Sequence, residues 1–190
     1  MVVEQQDLSS LHRTIPVRDG VELRPLQASD AAEILSALEA DPEIRKRVTI
    51  ASRLFTPADV EAEVKRAETT ETFLLRFVIV EQGKVVGMLS FWQDLGYFGY
   101  EPAPNTFGFG YFLHPKARGR GLVTDAIVAM MDAAQAELTV DSFIAFCEDD
   151  NAASVHVLNK LGLQTTDQTF TEPTTGWTER MYRKEVTHAE

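Results

Sequence analysis

The chain has 190 residues, 44% hydrophobic and 25% charged, with 18 Lys and Arg against 29 Asp and Glu, a formal net charge of −11. That composition describes a folded domain rather than a disordered chain, and apolar runs such as 77–80 and 85–89 fall far short of the ~20 residues that a bilayer crossing needs. The acidic balance excludes duplex nucleic acid as the main partner, because phosphate affinity comes from clustered cations, and from a distance it draws amines rather than anions.

The opening stretch MVVEQQDLSSLHR carries acids and no apolar core, so no secretory signal is expected. Cys147 is the single cysteine; it allows no internal disulfide and fits a reducing cytoplasm. Residues 1–20 read as a loose N-terminal extension ending in the turn signal Arg18-Asp19-Gly20, residues 21–186 as one domain, and 187–190 as a tail.

Residues 21–26 form a predicted strand. Ser29 or Asp30 then caps a helix whose Ala31, Ile34, Leu35 and Leu38 share one face. Asp41-Pro42 restarts a short helical piece. A third helix opens at Thr56, with Pro57 in its first turn, Asp59 placed for a capping contact, and Val60, Val64 and Ala67 as its inner stripe. The period then changes. Residues 72–81 and 84–93 are rich in Val, Ile, Leu and Phe around Gln82-Gly83, which predicts an antiparallel hairpin with a two-residue turn.

Residues 94–105 read as a loop carrying Tyr97, Phe98, Tyr100, Pro102 and Pro104, which either borders a binding site, covers the sheet or forms a homodimer contact. The next strand spans 106–113, where Gly108 and Gly110 predict a bulge or the close approach of another group to the backbone. After a cationic loop comes a helix over 122–138, then a strand over 142–147, a helix over 151–161 stopped by Gly162, and a final hairpin of 164–171 and 177–186. This order specifies an α/β (or α+β) domain with one mixed, mostly antiparallel sheet of about six to seven strands and about four to five helices.

The chemistry concentrates in two segments. Arg118-Gly119-Arg120-Gly121 stands directly before an amphipathic helix. A helix N-terminus leaves several N–H groups unpaired and carries about half a positive charge, so with glycines letting a ligand approach and two arginines adding charge, this is a phosphate cradle. Four such residues alone would equally describe an exposed turn; the flanking strand and helix favour the cradle. Asn151-Ala152-Ala153-Ser154 opens the second segment, which by itself is explained as an Asn-capped helix with a glycine stop.

Taken together, Gly110-Tyr111-Phe112-Leu113-His114-Pro115, Arg118–Ala126, Asn151–Ser154 and Lys160-Leu161-Gly162 resemble the GNAT acetyltransferases, and most nearly their RimJ/RimL branch, which acetylates protein N-termini. Residues 21–26 with Asp30-Ala31 resemble the start of that branch, so the resemblance covers about 20 to 186. It implies a sheet with a splayed central strand pair and acetyl-CoA as cosubstrate, without a metal. Arg118, Gly119, Arg120, Gly121, Leu122, Val123 and Thr124 would hold the pyrophosphate, while Phe112, Leu113 and His114 would lie along the pantetheine arm. Asn151 would contact the cosubstrate, and Ser154 would protonate the departing thiolate.

Three departures stand out. Val123 replaces the usual small residue, and Leu158 stands where many relatives place a tyrosine acid. Gly108 replaces a glutamate base, which leaves Asp94, Glu101, Glu148 or water as proton acceptor. At pH 7, deprotonation costs an α-amine roughly 1.4 kcal/mol and a lysine about 4.6 kcal/mol, so a site without a dedicated base favours N-terminal amines. A small-molecule amine (aminoglycoside or polyamine) and a non-catalytic CoA-binding module are the alternative readings. Cys147 ends an apolar strand with no basic partner nearby and reads as a packed thiol rather than a nucleophile. His12, His114, His156 and His188 show no metal-ligand spacing.

Overall fold

The computed structural model describes residues 3–69, 73–96, 101–171 and 176–187. Tyr97, Phe98 and Tyr100 of the aromatic loop, Thr72 and His188 lie outside these. Among the described residues, eight strands form one mixed sheet with five α-helices on its two faces: β1 (Ile15–Arg18), β2 (Val21–Pro25), α1 (Ala31–Ala40), α2 (Glu43–Arg47), α3 (Pro57–Thr69), β3 (Leu74–Glu81), β4 (Lys84–Gln93), β5 (Thr106–Leu113), α4 (Leu122–Glu137), β6 (Ser142–Cys147), α5 (Ala152–Lys160), β7 (Gln164–Thr171) and β8 (Thr178–Glu185). The spatial order is β1-β2-β3-β4-β5-β6-β8-β7.

The sheet has one strand more than expected, and it comes from the supposed lead-in. Ile15–Arg18 pairs antiparallel with β2, and Leu8 and Leu11, both fully buried, join the core under α4. Residues 8–18 therefore belong to the domain. Pro16 obscured this strand, because proline is tolerated only where no ladder N–H is needed, and β1 is an edge. The predicted β3–β4 hairpin is present, with Gln82 at φ 50° and Gly83 at φ 76°, both left-handed as a type I′ turn requires.

Alternation along the strands sorts side chains to two faces. Phe77, Ile79, Leu89, Phe91, Phe107 and Phe143 meet α4 and α5 in the larger cluster. Val78, Val80, Met88 and Phe112 point the other way and meet α1, the segment after α2, and α3. Each fully buried Phe or Leu contributes roughly 1.5–3 kcal/mol.

One irregularity breaks the sheet at its centre. β5 and β6 run parallel and pair only at Thr106↔Ser142, Phe107↔Phe143 and Gly108↔Ile144. Beyond that point residues 109–113 pair with β4 alone, and 145–147 with β8 alone. The two strands splay, and the sheet opens in the middle.

Candidate functional site

The splay opens into a cleft of about 1160 Å³ between the N-terminus of α4, α5 and the α2–α3 region. Its first wall is the loop entering α4. Gly119 and Gly121 both sit at φ 76°, a left-handed conformation that glycine adopts without strain. A β-carbon added at Gly119 would meet nothing within 4 Å, and one at Gly121 only Asp125 Oδ2 at 3.8 Å, so the space in front of the loop is open. Asp125 N–H is the first to bond back into the helix, to Gly121 O at 3.0 Å. Among the described residues, no acceptor meets the N–H groups of 119 to 124. Five of these six residues, Gly119, Gly121, Leu122, Val123 and Thr124, line the cleft at the positive end of a 16-residue helix.

The loop arginines play a different part from the one expected. Arg120 forms a two-pronged pair with Glu81 on β3 (2.7 and 2.8 Å) and does not line the cleft. Arg118 lines it but is tied to Asp41 (2.7 Å) and donates to Leu113 O (3.2 Å). Their charges are largely answered within the protein, so the backbone supplies the attraction for an anion. His114 also stands off the cleft; its Nδ1 accepts from Lys116 N–H and caps the turn Pro115–Ala117. Phe112, Leu113, Gly119, Gly121, Leu122, Val123, Thr124, Asn151 and Ser154 all line the cleft.

The second wall is the open edge of β5, whose residues 109–113 have main-chain groups with no strand beside them. Across the gap stands α5. Asn151 Oδ1 accepts from Ser154 N–H at 3.2 Å, so its side chain is used as the helix cap. Ser154 Oγ meets Tyr111 Oη at 2.8 Å, a pair that bridges the splay from β5 to α5. Burial pushes the Tyr111 phenol well above its ordinary pKa, with the Ser154 bond opposing the shift. Leu158, noted above as a departure from the tyrosine of many relatives, is fully buried.

Of the proposed bases, Asp94 is buried away from the cleft, accepting from Gly96 N–H at 3.1 Å, and Glu101 is exposed outside it. Glu148 does line the cleft but is engaged by Arg47 at 3.1 Å. Sequence reasoning missed Glu179. This half-buried residue at the start of β8 lines the cleft beside Glu148. Burial, reinforced by the Glu148 charge, pushes its carboxyl up to about 7. No local motif marks it, since it stands in a polar strand that reaches the cleft only through the β6–β8 pairing.

Two further readings are settled by position. The indole of Trp92 lies over Gly108 and Gly110, which is the close approach the glycines foreshadowed. The Cys147 thiol lines the cleft but is 3% exposed, donates to Glu148 O at 3.3 Å, and is pushed up to about 11 by burial, which disfavours the thiolate at neutral pH. Among the described residues, no group of His, Cys, Asp and Glu could hold a metal ion, and no helix is long and apolar enough to cross a membrane.

Comparison with known proteins places this geometry in context. A family model for the acetyltransferase (GNAT) domain matches residues 21–164. A Bacillus subtilis (strain 168) protein described as uncharacterized N-acetyltransferase YnaD is 23% identical over 111 residues, covering 58% of this chain and 61% of its own length. Among solved structures, RimL, a ribosomal L7/L12 alpha-N-protein acetyltransferase in complex with coenzyme A, superposes with a TM-score of 0.76 at 18% identity, over 92% of this chain and 98% of that one. MccE, a microcin C7 self-immunity acetyltransferase in complex with acetyl-CoA and AMP, gives 0.74 at 20% identity over 90% and 94%. RimJ of Mycobacterium smegmatis, in complex with a CoA disulfide, gives 0.72 at 21% identity over 92% and 85%.

Proposed function

The chain belongs to the GNAT acetyltransferase family, and from that premise we propose that it moves the acetyl group of acetyl-CoA directly onto a primary amine, the α-amine of a protein or peptide N-terminus. The observation that carries this reading is the run of unanswered N–H groups from 119 to 124 beside a cleft that continues along the open edge of β5. A diphosphate fits the first feature, and an extended pantetheine arm fits the second, pairing with main-chain groups as an added strand would. Acetyl-CoA supplies the activated thioester; the protein must hold it, remove a proton from the amine and return one to the sulfur.

Glu179 is the proton acceptor in this reading. Its carboxyl, at about 7, lies within roughly one unit of an α-amine and more than three below lysine, so proton transfer is nearly balanced for the first and steeply uphill for the second. Glu148 keeps Glu179 from ionising too readily, while Arg47 holds Glu148 in place. Ser154, fixed by Tyr111 and by the first turn of α5, is placed to return a proton to the departing thiolate. N–H groups on the open β5 edge stabilise the carbonyl oxygen as it gains charge. Holding both reactants in one slot supplies a further ~7–11 kcal/mol of the acceleration. The RimL and RimJ likenesses support an N-terminal acceptor.

The test is CoA-thiol release from acetyl-CoA with peptides of varied N-termini, lysine peptides blocked at the α-amine, polyamines and aminoglycosides. Peptide α-amines should react fastest at neutral pH. Preference for blocked lysine peptides or for a small amine would overturn the acceptor assignment, and cofactor binding without any thiol release would reduce the protein to a binding module.

A further inference from the structure

Besides Ser154 and Glu179, the cleft is lined by residues of α3, of the turn before it and of β3 and β4, an arm whose charge is opposite to that of the chain as a whole. Three arginines line this arm: Arg53, just before α3, Arg66 on α3, and Arg76 on β3. Arg76 is 9% exposed, and its Nε faces Glu63 Oε2 at 3.5 Å, an ion pair in which neither atom has a hydrogen bond. Arg66 reaches the other oxygen of the same carboxylate at 3.6 Å. Arg53 has no ion pair with any described residue. Burial depresses the Arg76 pKa, and the nearby Arg53 and Arg66 charges add to the effect. Thus Arg66 and Arg76 share the single carboxylate of Glu63, with the Arg53 charge close enough to act on Arg76, in a protein of net charge −11. Ser90 stands next to them, 4% exposed, with an Oγ that has no hydrogen-bond partner.

A buried hydroxyl without a partner and a buried guanidinium without a hydrogen bond at Nε are costly unless something else answers them. The other acids of the cleft have partners or tasks elsewhere: Asp41 with Arg118, Glu43 with Lys46, Glu148 with Arg47, and Glu179 facing Glu148. The arm also has a defined reach. Arg76, Ser90 and Gly110 are register partners across β3, β4 and β5. The cationic end therefore lies one to two strand spacings, about 5–10 Å, from the open β5 edge. That distance is roughly two to three extended residues.

We propose that the acceptor carries an anionic group, a carboxylate or a phosphate, two or three residues or an equivalent length from its amine, and that Arg53, Arg66, Arg76 and Ser90 receive it. This rests on the acetyltransferase reading above and narrows its substrate class: the amine goes to the Glu148–Glu179 end, the anion to the arginine end. The acidic surface attracts the amine from a distance, and the cleft arginines then select among amines by the charge carried a few residues away.

The experiment compares amidated tripeptides that share one N-terminal residue and differ at position three: Ala, Lys, Asp or phosphoserine. CoA-thiol release is measured with the full chain and with Arg53→Gln and Arg66→Gln, which alter side chains at the surface end of the arm and spare the buried Arg76. The Asp or phosphoserine peptide should exceed the Ala peptide in kcat/KM by about tenfold or more, chiefly through KM, and the Lys peptide should fall below it. The comparison of Asp with phosphoserine tells carboxylate from phosphate. In each variant the acidic-to-neutral ratio should collapse towards one. An equal or reversed ratio in the wild type, or a ratio untouched by both variants, overturns the proposal while leaving the acetyltransferase reading intact if the Ala peptide turns over. If no peptide turns over, calorimetric binding of the acetylated peptides to the protein loaded with CoA decides the matter: tighter binding of the anionic products, weakened by both substitutions, upholds the arginine arm, and equal binding refutes it.

Discussion

The indole of Trp92 occupies the place that a side chain at Gly108 would need: an added β-carbon would stand 2.3 Å from Cε2 and 2.4 Å from Cζ2. The absence of a glutamate from β5 is thus a packing consequence, since these positions are direct cross-strand partners. Gly108→Ala should lower stability by about 1–3 kcal/mol in chemical unfolding, as overpacking does. Gly108→Glu should be worse still and should not improve lysine acetylation. A neutral effect of the alanine would mean that the indole is free to move aside.

The pH dependence of stability centres on Glu179. Its carboxyl is raised from 4.5 to about 7, so on raising the pH the unfolded chain ionises first. Folding therefore loses stability between about pH 4.5 and 7, by at most about 3.4 kcal/mol at 1.36 kcal/mol per unit. Glu179→Gln should melt with the wild type below pH 4.5 and above it in temperature beyond pH 7. A gap that does not change with pH would contradict this.

The same group should shape the rate. With Glu179 as base, kcat/KM should climb through about pH 7, and Glu179→Gln should flatten that limb with a loss of roughly 10²–10⁴-fold. Glu148→Gln removes the neighbouring like charge and should move the limb to lower pH, read from a pH–rate profile on one peptide. No movement would separate the two carboxylates.

Gly121→Val should reduce coenzyme A affinity in calorimetry by tenfold or more, because a β-branched residue at φ 76° carries roughly 1–3 kcal/mol of strain and reorients the amides of 122–124. Unchanged affinity would remove the phosphate from this loop.

Cys147→Ala should retain most activity, since a thiol held up at about 11 is nearly all protonated at neutral pH. Mass spectrometry of the wild type mixed with acetyl-CoA should show no acetylated thiol; a stoichiometric adduct would reopen a covalent route.

Local features of the sequence are sufficient for much of this picture. The β3–β4 hairpin, the strand Thr106–Leu113 and the glycine loop before α4 were legible because turn residues and hydrophobic period are properties of neighbouring residues. Asn151 as helix cap was legible for the same reason. The β1 strand was not, because its apolar residues are few and Pro16 broke the pattern that would have announced it.

The candidate site divides along the same line. The amides that face the cleft are implied by a helix start after Gly121, whatever the rest of the chain does. Which charges remain available near them is decided in three dimensions: Arg120 is claimed by Glu81, 39 residues away, and Arg118 by Asp41. The proposed base was likewise hidden. Glu179 is an ordinary glutamate until the β6–β8 pairing sets it beside Glu148 in a partly dry cleft. Sequence alone determined where the glycine loop, the helix start after it and the strand before it would lie, because all three are written in short-range backbone preference. Tertiary structure decided which carboxylate is raised and which arginines gather in the cleft, because desolvation and charge pairing depend on what long-range folding brings within a few ångströms.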